Sequence, residues 1–125
     1  MMAALAVDLV GSGMPALLAS QLGTTIVSIT GVGTAQGGSS PRVFGGNVCL
    51  LTTAVGATAC TIDSAMAVGD VAEVYTITAT TGLLFPPTGC TIDQGSANAS
   101  VSIAQNRGRQ VRRVSATAFV TIYGA

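Results

Sequence analysis

Four carboxylates, Asp63, Asp70, Glu73 and Asp93, and a run of four arginines, Arg107, Arg109, Arg112 and Arg113, are the side chains best suited by type to do chemistry. Two acids at a suitable separation could serve a glycosidase as acid and nucleophile. Sugar sites, however, are lined with aromatic platforms, and here the aromatics are only Phe44, Tyr75, Phe85, Phe119 and Tyr123. Asp63, Asp70 and Asp93 each stand within two residues of Gly or Ser, the setting of a turn carboxylate that caps backbone donors. No loop spaces several oxygen ligands at the close, regular intervals of a calcium site. The chain has no His, which removes the commonest general base and the commonest metal ligand together. Its Ser residues therefore lack an activating base. The run from Gly31 to Gly37 has only loosely the spacing of a dinucleotide-binding loop, and no helix pattern follows it. The expectation is a non-enzyme, with no catalytic residue, cofactor or metal.

Arg107 to Arg113 is the strongest charge feature. On a strand, Arg109, Val111 and Arg113 share one face while Gln110 and Arg112 share the other. Such a strand is expected at a sheet edge, where charge discourages wrong pairing or answers neighbouring acids. The functional alternative is an Arg fork that grips carboxylates of a partner subunit, with Arg109, Arg112 and Arg113 as the contact residues. Nucleic acid is not expected, because four Arg without interleaved aromatics make only a weak backbone contact.

Cys49, Cys60 and Cys90 are odd in number and lack CxxC spacing. They are read as small buried hydrophobes, with a Cys60–Cys90 bridge as the alternative.

These groups sit in a chain with few charges. Of its 125 residues 8% are charged, against about 25% in ordinary domains, and five positive and five negative charges cancel. Ten charges cannot cover the surface of one domain of this size. The physical remedy is to bury part of that surface against other subunits, so a homo-oligomer or a shell subunit is expected. Net charge draws the chain neither to nucleic acid nor to an anionic membrane. Asp8, the Gly-Ser-Gly break at 11–13 and Gln21 keep apolar runs near the N-terminus below about 18 residues, so no membrane span is expected. A secretory leader is not expected either, as no positive segment precedes the apolar run.

Residues 1–23 read as a helical arm. Leu5 and Leu9 suit one short helix, and Met14, Leu17, Leu18 and Leu22 mark an apolar face after Pro15, which fits a first helical turn. Helices of about two turns need a surface to lie against, either the protein's own core or a neighbouring subunit. These six residues are the arm's candidate partner contacts.

From residue 24 to 125 the pattern is of strands. Residues 24–30 are β-branched nearly throughout. A loop at 31–41 follows, then residues 43–55 as one bulged strand or two short ones. Further strands are expected at 57–62, 71–80, 101–104, 109–114 and 116–123. The corner at Pro86-Pro87 fits only a strand end or a sheet edge. Short strands at this spacing indicate a β-sandwich or jelly-roll-like barrel. Cys60-Thr61-Ile62-Asp63 recurs as Cys90-Thr91-Ile92-Asp93, but two copies do not make a solenoid.

Phe85-Pro86-Pro87-Thr88-Gly89, the run from Thr91 to Ala104, Val114 to Ala118 and the opening from Leu9 to Ala19 resemble small virion structural proteins of tailed bacteriophages. The likeness covers about half the chain, at both ends, and contains no catalytic residue. It departs from the family pattern at Arg107 to Arg113, where the relatives are milder. The resemblance implies a capsid decoration or cement protein, or a head-fibre base, favouring a trimer that binds the major capsid protein and is assembled into virions in the host cytoplasm. A tail-tip or fibre adaptor is the alternative, and a carbohydrate-binding host-recognition module a more distant one.

Overall fold

The computed structural model describes residues 25–124. The chain alternates between two sheets. β1 (Thr25–Thr30), β3 (Asn47–Thr52) and β5 (Val71–Thr76) belong to the first, and β2 (Arg42–Val43), β4 (Ala59–Ile62) and β6 (Gly82–Phe85) to the second. Within each sheet successive members are parallel, β1 with β3 and β3 with β5, β2 with β4 and β4 with β6. Each circuit of the chain thus lays one strand on each sheet, directly above the previous circuit. This is a β-solenoid, built from the outset of non-local parallel pairs.

The last third closes it. β7 (Thr91–Ile92) pairs parallel with β10 (Ala118–Gly124) at the far edge of the first sheet, and β8 (Val101–Ile103) runs antiparallel to β6. β9 (Arg107–Arg113) lies antiparallel to both β5 and β10. The sheets therefore read β1-β3-β5-β9-β10-β7 and β2-β4-β6-β8.

The core lies between the sheets because alternate residues of each strand turn inward. Val27, Cys49 and Val74 stack at successive levels of the first sheet, as do Ile29, Leu51 and Thr76. Val43 stacks on Ile62, and Cys60 on Leu84, in the second. Ile92, Ile103, Val111 and Phe119 complete the buried cluster. The loop at 31–41 folds over the outside of the second sheet: Gly37 N donates to Thr61 Oγ1 (3.0 Å) and Gln36 Nε2 to Pro86 O (2.6 Å). At the start of that crossing a Cβ on Gly31 would collide with the carbonyl of Ala57, so only glycine permits it.

Several expectations are corrected here. The sandwich or jelly-roll-like barrel over residues 24–125 is overturned by the pairing, since six strands in a row alternate sheets and stack parallel. Short strands separated by turns are common to both architectures, and strand spacing alone does not separate them. No described residue is helical. The helical arm expected over residues 1–23, with Leu5, Leu9, Met14, Leu17, Leu18 and Leu22, lies outside the described residues. Residues 42–52 form two strands in different sheets, and β9 is interior, hydrogen-bonded on both sides. The repeated Cys-Thr-Ile-Asp segments fall in β4 and β7, on different sheets, so they are not the solenoid repeat.

Candidate functional site: the outer face of the first sheet

Because side chains alternate along each strand, the residues facing away from the core form rows across five strands. Ile26, Val48, Glu73, Gln110 and Ile122 make one row. Ser28, Leu50, Tyr75 and Gly108 make a second, and Val71, Arg112 and Val120 a third. Ile26 and Ile122 are each 70% exposed, and Val120 and Tyr75 are partly so. Sheets with parallel strands usually have both faces covered, whereas this face is apolar, open, and carries one acid and one base.

The centre of the face is ordered. Tyr75 Oη donates a hydrogen bond to Glu73 Oε1 (2.9 Å), and this bond to a carboxylate holds the phenol above its ordinary pKa, with smaller contributions from burial and from the charge of Glu73. The ring of Tyr75 lies across Gly108 on the neighbouring strand, where any Cβ would occupy the ring's own position. An aromatic laid over a cross-strand glycine flattens the surface and covers backbone that would otherwise be bare.

The arginines expected to contact a partner separate by face. Arg109, which points inward at the sheet end, donates from Nε to Ser102 O (2.8 Å) and from Nη1 to Thr121 Oγ1 (2.9 Å). Its guanidinium stacks on Tyr123 at 4.2 Å and lies 3.8 Å from Asp93. Arg113 donates to the carbonyls of Ser64 (3.0 Å), Met66 (2.6 Å), Ser115 (3.3 Å) and Ala116, and its guanidinium lies over Phe119. Both are internal ties. Arg112 alone of the three points outward, and among the described residues its side chain has no hydrogen bond or ion pair. The parity of β9 was readable in the sequence. Residues 71–80, apolar on both faces, suit by sequence a strand with one side on the core and the other against a partner, but rows that cross strands follow only from the pairing.

The acids are mostly occupied in turns. Asp63 accepts from Ala65 N (2.8 Å) and Asp70 from Ala67 N (3.0 Å). Asp93 accepts from both the backbone and the hydroxyl of Thr121. All three thiols are free and buried, so the Cys60–Cys90 bridge is not formed. Burial pushes Cys49 up to about 11 and Cys60 to about 12, the latter also through its proximity to Cys49. At neutral pH these are protonated and poor nucleophiles. Among the described residues no three Cys, Asp or Glu side chains gather to hold a metal, and no helix is long and apolar enough to cross a membrane.

The exposed aromatics do not assemble into a sugar platform. Phe44 follows β2, Tyr75 lies on the outer face, and Tyr123 turns to the inner side beneath Arg109. A groove of about 490 Å³ beside the second sheet is lined by Gln36, Arg42, Asp63, Ser64 and Thr88, without an aromatic. No protein-family model and no curated protein matches the chain.

Proposed function

We propose that this protein is a structural subunit of a tailed-bacteriophage virion, a capsid decoration or cement protein or the base of a head fibre, which binds the major capsid shell and stabilises it. The observation that carries this reading is the open apolar face of the first sheet, set in a chain whose potentially reactive groups are engaged in its own framework. Asp63 and Asp70 cap turns, Asp93 is tied to Thr121 of β10, Arg109 and Arg113 bind carbonyls, and the thiols are buried. What remains at the surface is suited to association, and the face is large enough to need covering. The resemblance at residues 85–89 and 91–104 supports the same reading, and those residues form strands and turns, of which only Pro87 and Thr88 border the groove beside the second sheet. No catalytic role, cofactor, nucleic acid or membrane enters the proposal.

The test is reconstitution on particles from which the chain is missing. Added purified protein should bind at a fixed ratio to the major capsid subunit and raise the temperature at which the particles release their genome. Failure to bind, with particle stability unchanged, overturns the proposal.

A further inference from the structure

We infer that the outer face of the first sheet binds the same face of a second copy of this chain, through a two-fold interface in which Arg112 of each copy meets Glu73 of the other. The inference rests on the reading of this chain as an assembly subunit and makes a second copy, in a two-fold dimer rather than the trimer that the resemblance implies, the occupant of the face, so that the capsid shell is met by another surface.

The charges single out that occupant. Arg112 stands opposite Val71, and Glu73 opposite Gln110, so the two charges sit on adjacent strands displaced by two residues. That diagonal separates side chains by about 7 Å, and no ion pair joins them within the chain among the described residues. A two-fold axis lying in the face, midway between them and perpendicular to the line joining them, places Arg112 of one copy over Glu73 of the other, twice. Isologous contact demands this reciprocity, in which one residue meets a second and the second meets the first. Tyr75 fixes Glu73 by bonding Oε1. The other carboxylate oxygen has no hydrogen bond among the described residues. The surrounding side chains include the apolar Ile26, Val48, Leu50, Val71, Val120 and Ile122 beside the polar Gln110 and Ser28, and Gly108 makes room for the ring of Tyr75 among them.

The area is adequate. Five strands about 4.8 Å apart and six residues long, at about 3.3 Å each, give a face of roughly 24 by 20 Å. Two such faces cover about 1,000 Å² before side-chain relief is added, which reaches the floor for a biological interface and lies just under the roughly 1,200 Å² at which stable ones begin. One paired charge on either side of the axis also fixes the register, because sliding by one strand separates both pairs and leaves Glu73 against Val71 or Val120.

Sedimentation equilibrium of the full chain tests this. The wild-type protein should associate as a dimer at micromolar concentration, and Arg112→Glu and Glu73→Arg should each raise the dissociation constant at least tenfold. The two variants mixed in equal amounts should recover wild-type association, since the mixture restores both cross-pairs. Ile122→Ser, which leaves the charges alone, should also weaken association at least tenfold. Circular dichroism of each variant should match the wild type. A wild-type chain that stays monomeric overturns the inference and leaves the face to residues 1–24 or to a different protein. Association indifferent to all three substitutions also overturns it. The virion reading fails by a separate result, the absence of the chain from purified particles, whatever sedimentation shows.

Discussion

Thr76 is fully buried on the inner side of β5, level with Leu51 of β3, and its Oγ1 meets no partner among the described residues. A buried hydroxyl without a hydrogen bond carries its desolvation cost uncompensated. Thr76→Val keeps the shape and removes the polar atom, so stability should rise by about 1 kcal/mol, measured by urea denaturation. The thiols make a prediction of the opposite sign in alkali. Cys49 and Cys60 are raised from 9.0 to about 11 and about 12. Above pH 9 the unfolded chain therefore releases protons that the folded chain retains, and stability falls as pH rises. The urea midpoint should hold steady from pH 7 to 9 and then decline towards pH 12. Cys60→Ala, though less stable overall from the lost volume, should show a shallower decline. Arg113 binds carbonyls from the 63–70 connection and from the turn after β9 with a planar fork that Lys cannot reproduce. Arg113→Lys should cost about 2 kcal/mol and lower the thermal midpoint, without altering which residues face outward.

At the level of elements, β5 and β9 hold the outer face together, because Tyr75 can lie flat only where β9 offers a glycine. Gly108→Ala should lift the ring, break its bond to Glu73 and cost about 1–3 kcal/mol through overpacking; the loss of the Tyr75 hydrogen bond can be read from tyrosine fluorescence. The same elements show how far the sequence could be read. The β-branched run at 24–30 locates β1 to within a residue, and Asp93, with positive φ, opens a turn that its type favours, whereas the positive φ of Gln94 is not written in its type. Pairing was hidden for a specific reason. Val27, Cys49 and Val74 stack at intervals of 22 and 25 residues, and the residues that align, such as Leu51 with Thr76, are not alike. Unequal circuits with dissimilar side chains leave no fixed period to detect, whereas the repeated Cys-Thr-Ile-Asp is conspicuous and structurally unrelated to the repeat. The alternation in β9 showed that Arg112 would part from Arg109 and Arg113. That Arg113 would be held by Ser64 and Met66 was not legible, since those carbonyls approach only once the solenoid has formed.

For the whole molecule, the shortage of charge and the open face are one feature. Five bases and five acids serve a 125-residue chain. Three of the acids, Asp63, Asp70 and Asp93, and two of the bases, Arg109 and Arg113, are engaged in turns and internal ties. The second sheet is covered on its outside by the loop at 31–41, whereas no described residue covers the first in this way. A solenoid also ends in strands with unpaired edges, which such folds must cover, and among the described residues β1 is one such end. Association through the first sheet is thus the property on which the account depends. Hydroxyl-radical footprinting measures it most directly, comparing the chain within assembled particles with the same chain diluted below its association midpoint. The account predicts that Ile26, Tyr75 and Ile122 react in the dilute chain and are protected in the particle, while Phe44 reacts in both. Equal reactivity of Ile26, Tyr75 and Ile122 in the two samples would contradict it.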